Sequence, residues 1–328
     1  MFDILKQFAA LVVDSILRLP SGCNCSSGLQ FFIEETIKIF LLLTVMIYVI
    51  AWLRASLNVE TVRDYLKGKN RVFGYVTAAS FGAVTPFCSC SSIPLFLGFT
   101  SARIPVGITM SFLITSPMIN EAVVVMLGGL LGVKLTLIYV IFGMLAGIIG
   151  GIFFDIIKAE RFLTFKVEPV PAADDGASGA ASSKLSFRDR HRFAVNELKD
   201  IMKRVWLWIF IGIGIGAFIH GFVPQAYIVE HLGGGQWWSV PAAVALGIPL
   251  YSNATGMIPV IDVLIRKGLP VGTALAFMMS TVAVSLPEFV MLKQVMKTRM
   301  LIYFFVYMLI FFTLCGWVLN LACNNKLL

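Results

Sequence analysis

Charge is scarce in this chain. Of its 328 residues, 26 are Lys or Arg and 18 are Asp or Glu, together 13%; an ordinary soluble domain carries about a quarter. That shortage excludes a soluble globular fold, because too few charged groups remain to cover a water-facing surface. Histidine is nearly missing, and His191, His220 and His231 make no metal-ligand spacing. No Walker phosphate loop occurs, which argues against ATP-driven pumping by this chain alone. No haem, quinone or Cys-x-x-Cys motif stands out either, so no cofactor and no resident metal are expected. The six cysteines form no disulfide framework: Cys88, Cys90, Cys315 and Cys323 sit in or beside apolar segments, where a thiol often serves as a small hydrophobe. Cys23 and Cys25 lie in a polar loop, SGCNCSSG. Asp3, Asp14 and Arg18 interrupt the first apolar run, so it does not read as a signal peptide.

What the chain has in quantity is apolar length. Leu135 to Phe154 and Met300 to Ala322 carry no charge, Val205 to Val223 contains only His220, and Phe31 to Leu53 is charged only near its start. Crossing the hydrocarbon core takes roughly 20 apolar residues, so the fold class is an all-α polytopic membrane protein and the bilayer is a partner. The net charge of +8 does not indicate nucleic acid. Its basic residues gather beside spans, at 54–71 and from Lys158 to Arg204, which is the positive-inside pattern of cytoplasmic loops.

Composition divides the chain into an amphipathic N-terminal segment (1–30), a first membrane repeat (31–165), a Pro-, Ala-, Gly- and Ser-rich cytoplasmic linker (166–195) and a second repeat (196–328). The halves match at a shift of 165 residues: Gly82 falls on Gly247, Ile93-Pro94 on Ile258-Pro259, and Pro105-Val106-Gly107 on Pro270-Val271-Gly272. A further slip of two residues sets Glu121 opposite Glu288. The charges place the linker inside and both termini outside, so the expected architecture is two inverted-topology repeats. Arg103 and the Arg266-Lys267 pair resist this assignment, because they must occupy opposite faces.

Two segments should break their helices near the membrane midplane. TPFCSCSS (85–92) and GIPLYSNATGMIP (247–259) combine prolines with dense polar groups, and such backbone is tolerated at membrane depth only where it lines a cavity or is buried in protein. Matched broken segments mark a midplane substrate site. Its candidate residues are Cys88, Ser89, Cys90, Ser91 and Ser92 from the first half and Asn253 and Thr255 from the second. The competing reading, that Ser and Thr only pack helices closely, accounts poorly for such clusters at equivalent places. Paired thiols suit soft solutes; they equally suit tight packing. Asn120, Glu121, Asp262 and Glu288 are the ion-path candidates, since carboxyls in a membrane are costly and a buried one can alternate between protonated and ionised. An interface-level Glu paired with Lys293 or Arg103 is the alternative. Gly143, Gly147 and Gly151 have the small-xxx-small spacing of a packing face.

TPFCSCSSIPLFLGF, SPMINEA, GIPLYSNATGMIPV, KGLPVGTALAFMMS and SLPEF together resemble the YraQ-like permeases, a group that includes the ArsP-type organoarsenical efflux permeases. The resemblance covers both membrane halves. It implies a multi-pass permease of a prokaryotic inner membrane, and it puts the family's cysteine motif on Cys88 and Cys90. The expected function is secondary active export of trivalent organoarsenicals or a related thiol-reactive solute, driven by protons. A permease for an inorganic anion or sulfur compound, with half-helix N-termini binding the anion, is the first alternative. A thiol oxidoreductase passing electrons through Cys88 and Cys90 is the second. The small-molecule substrate is the other expected partner; homo-oligomerisation is left open.

Overall fold

The computed structural model describes residues 24–54, 70–85, 89–101, 104–119, 121–163, 187–222, 236–248 and 254–324. These form twelve α-helices in two sets of six. The first set is α1 (Asn24–Arg54), α2 (Arg71–Val84), α3 (Ser89–Ser101), α4 (Val106–Met118), α5 (Glu121–Leu131) and α6 (Val133–Ile156). The second is α7 (Phe187–Phe222), α8 (Ser239–Gly247), α9 (Ala254–Arg266), α10 (Val271–Ala283), α11 (Leu286–Val295) and α12 (Thr298–Asn324). No strand occurs among the described residues beyond one isolated bridge between Leu163 and Met296. Two expected boundaries move. Residues 24–30 belong to the first long helix rather than to a separate N-terminal segment, and helix α7 takes in 187–195 from the stretch read as linker. The amphipathic reading of residues 2–19, and the rest of the linker, lie outside the described residues.

The helices recur at the spacing seen in the sequence. Ser89 and Ala254, Val106 and Val271, Glu121 and Leu286, and Val133 and Thr298 each begin equivalent helices 165 residues apart. That constant offset corrects the two-residue slip: Glu121 opens α5, whereas Glu288 is the third residue of α11, level with Val123.

Helices α6 and α12 are long and apolar enough to cross a membrane. With 24 residues, α6 is about 36 Å long against a hydrocarbon core of about 30 Å. One face of each is an exposed apolar stripe, Leu137, Ile141, Leu145 and Ile149 on α6 and Ile302, Val306, Ile310 and Leu314 on α12. Residues four apart share a helix face, and stripes this apolar suit contact with lipid. The opposite face of α6 is glycine. A Cβ at Gly143 would strike Ile119, and one at Gly147 would strike Thr115, so the spacing read as a packing signal is one.

The centre of the molecule is α4 and α10, which touch each other. All 13 residues of α4 and 12 of the 13 in α10 are buried. Each central helix crosses its neighbouring long helix glycine to glycine. A Cβ on Gly107 would lie 2.6 Å from the Gly151 carbonyl oxygen, and one on Gly272 would collide with the Gly316 carbonyl oxygen. Beside the first crossing, Asp155 accepts hydrogen bonds from Arg71 (2.5 Å) and Tyr75 (2.6 Å). Beside the second stands Asn320, which accepts from the Gly272 N–H and donates to Thr273.

The equivalent outer helices α1 and α7 run antiparallel against each other. Trp52 meets Phe187, Tyr48 meets His191, and Phe32 meets Phe210, so α1 and α7 point in opposite directions. Helix α12 crosses α6 chiefly at Tyr307, which donates to the Ala146 carbonyl and stacks on Phe153. Substituting Ala at Gly107 or Gly272 should cost about 1–3 kcal/mol by overpacking, lowering the thermal transition of the detergent-solubilised protein. Gly129→Ala, where a Cβ meets nothing within 4 Å, should leave it unchanged. Equal behaviour of all three would show that the two crossings do not limit helix approach.

Candidate functional site

The central helices are too short to span. At 13 residues each, α4 and α10 are about 20 Å long. Chain breaks therefore fall inside the protein, after Met118 and after Ala283. Helices α4 and α5 bend by 50° across the first break. The backbone of the first break is tied down by Tyr139, which donates to the Met118 carbonyl at 2.8 Å. At the second, Ser280 donates to the Val244 carbonyl of α8 at 2.6 Å.

Helix α3 begins within TPFCSCSS, so Ser89, Cys90, Ser91 and Ser92 form its first turn. Ser92 is fully buried and hydrogen-bonds Ser116 of α4 at 2.8 Å. This bond fixes the start of α3 to the end of the first central helix. Ser116 was not singled out in the sequence, although the SPMINEA motif contains it two residues before Met118. Thr255 lies in the first turn of α9. Cys88, Asn120 and Asn253 fall outside the described residues.

The two halves exchange their elements here. Helix α3 packs against α11, and α5 packs against α9, so each half sets its broken segment beside the short helix of the other. The thiol-bearing turn thus shares a neighbourhood with the helix of Glu288. The carboxyls differ sharply in setting. Glu121 is exposed. Asp262 is partly exposed and bonded to Arg266 at 2.9 Å, one turn further along α9. It also lines a cleft of about 540 Å³ between α5 and α9, formed with Val125, Met126, Leu130, Pro259 and Val263. Glu288 is 1% exposed, and neither of its carboxyl oxygens has a hydrogen-bond partner. The hydroxyl of Ser285, three residues before it, is likewise buried without a partner. Ser285 was legible only as part of SLPEF. Among the described residues no group of three His, Cys, Asp or Glu side chains is placed to hold a metal ion.

Helices that span, two central helices that stop short, and breaks lined by polar residues define a multi-pass membrane transporter. A family model described as a predicted permease, of the ArsP type, matches residues 25–321. The chain belongs to that family. It is 24% identical over 300 residues to the UPF0718 protein MJ0584 of Methanocaldococcus jannaschii, covering 76% of this chain and 82% of that protein. It is 23% identical over 258 residues to the UPF0718 protein YraQ of Escherichia coli K12, covering 76% of this chain and 69% of that one. No solved structure matches.

The Ser92–Ser116 bond is open to a double-mutant cycle in mixed micelles. Hydrogen bonds between membrane helices couple by about 0.6 kcal/mol on average and up to about 1.7. Ser92→Ala and Ser116→Ala should therefore cost less together than the sum of the single changes, by that amount. Strict additivity would mean that the bond contributes nothing to holding α3 on α4.

Proposed function

We propose that this permease is a secondary active exporter of trivalent organoarsenicals, or of a related thiol-reactive soft solute, in a prokaryotic inner membrane. The observation that carries the proposal is the place of the Ser89–Ser92 turn, the described end of the TPFCSCSS motif. It opens a helix buried between the halves, bonded to the central helix α4 and packed against α11 of the other half. Cys88 and Cys90 are the binding thiols in this reading, with Ser89, Ser91, Ser92, Asn253 and Thr255 around them. Two thiols replace two hydroxyls on trivalent arsenic: two As–S bonds form, two As–O bonds break, and two waters leave. Redox state is unchanged, which separates this chemistry from an oxidoreductase.

The antiparallel packing of α1 on α7 supports an inverted repeat. Alternating access then follows from rocking one half against the other around the broken segments, with the linker inside and the termini outside. Protons would drive the cycle through the carboxyls near the breaks. After the two halves exchange which side is open, release reverses the exchange: two waters add, two As–O bonds form, two As–S bonds break and both thiols regain their protons.

Everted membrane vesicles carrying the wild-type chain should accumulate trivalent methylarsenical well above empty-vector vesicles. Cys88→Ser combined with Cys90→Ser should abolish that accumulation. Uptake that survives the double substitution would assign the thiols to packing. No uptake by the wild type would remove arsenicals and favour an inorganic anion or sulfur compound, for which the N-termini of the short helices are the binding groups.

A further inference from the structure

The two halves match closely in position but not in chemistry at one buried point. Val123 of α5 and Glu288 of α11 occupy the same place in their helices, 165 residues apart, and are 0% and 1% exposed. The first half fills that place with an aliphatic side chain. The second puts a carboxyl there, with both oxygens unpartnered. Ser285 is the N-cap of α11, and Glu288 stands at the third helical position, the spacing of a capping box. The box is open: the Ser285 hydroxyl has no partner, and the Ser285 backbone N–H lies near the carboxyl but outside hydrogen-bond geometry. Three buried polar atoms within one turn are therefore left without partners.

A buried ionised carboxylate with no cation and no hydrogen-bond donor is costly. Among the described residues no side chain donates to it or pairs with it. Helix α3 offers one titratable group, Cys90. Helix α12 offers Arg299, Tyr303, Tyr307, Cys315 and Cys323, and α7 has its charges between Arg188 and Arg204, with His220 beyond. None of these hydrogen-bonds to Glu288. Lys293, on α11 itself, is exposed.

We propose that Ser285 and Glu288 form a proton-binding site, built into α11 and not into the matching place of α5, and placed against the thiol-bearing helix of the first half. Bound proton neutralises the carboxyl and lets α11 pack in the open-box arrangement seen here. When the proton leaves, the carboxylate closes onto the Ser285 N–H, which tightens the first turn of α11 beside α3. One titratable element thus senses the proton and touches α3, whose first turn carries Cys90. This inference rests on the transporter reading and deepens its proton coupling, assigning it to Glu288 in place of the exposed Glu121.

A hydrophobic carbodiimide tests the site without a substrate, because it modifies protonated carboxyls in apolar surroundings. In the full-length purified protein, peptide mapping should find the adduct on Glu288 and not on Glu121. Glu288→Gln should reduce it to background, and Glu288→Asp, which keeps the carboxyl, should restore it. In reconstituted vesicles Glu288→Gln should make uptake of trivalent methylarsenical insensitive to an imposed pH gradient. An adduct on Glu121 alone, no adduct on Glu288, or wild-type uptake driven by a sodium gradient in place of a pH gradient would overturn the proposal. Absence of arsenical uptake by the wild type would instead count against the proposed cargo, since the labelling result does not depend on it.

Discussion

Everything in this molecule depends on two close backbone crossings. Gly107 against Gly151, and Gly272 against Gly316, let a short central helix lie flush on a long spanning one. Without side chains at those points, α4 and α10 can be buried along their whole length and held at the centre of the bundle. In hydrocarbon there is little hydrophobic drive between helices, so close van der Waals contact has to supply the association. The glycines permit that contact, and the lipid-facing stripes of α6 and α12 lie on the opposite side of the same helices.

Central helices of about 20 Å necessarily end inside the protein. Their last carbonyls and the first N–H groups of the next helices cannot turn to lipid, so the fold surrounds both breaks with protein. Tyr139, Ser280 and the Ser92–Ser116 pair are among the groups that satisfy or brace these regions. Broken backbone at membrane depth is tolerable only where protein or a polar cavity receives it.

Near-symmetry makes the departures from it informative. Asp155, tied to Arg71 and Tyr75, corresponds to Asn320, which binds only within its own helix pair. Val123 corresponds to Glu288, and the first turn of α3, which carries Cys90, corresponds to a thiol-free first turn of α9. The scaffold is duplicated and the chemistry is not. Cargo-binding thiols in one half and a proton-binding carboxyl in the other would oblige the halves to work together.

Much of the fold was written in the sequence, because its causes are local or periodic. Apolar length and scarce charge are linear quantities, and they determined the helices and the 165-residue repeat; proline positions were a poorer guide, since Pro259, read as a helix breaker, lies inside α9. The glycine spacing in α6 likewise announced a packing face. The ranking of the carboxyls was not legible. Glu121 and Glu288 follow similar prolines in similar apolar runs, and a slip of two residues sets them opposite each other. Only the tertiary structure decided that one faces outward while the other is enclosed, because burial is set by neighbours distant in sequence. It also decided that α3 meets α11 rather than the short helix of its own half. Contact between the halves depends on how the central helices cross, which no local pattern of residues encodes.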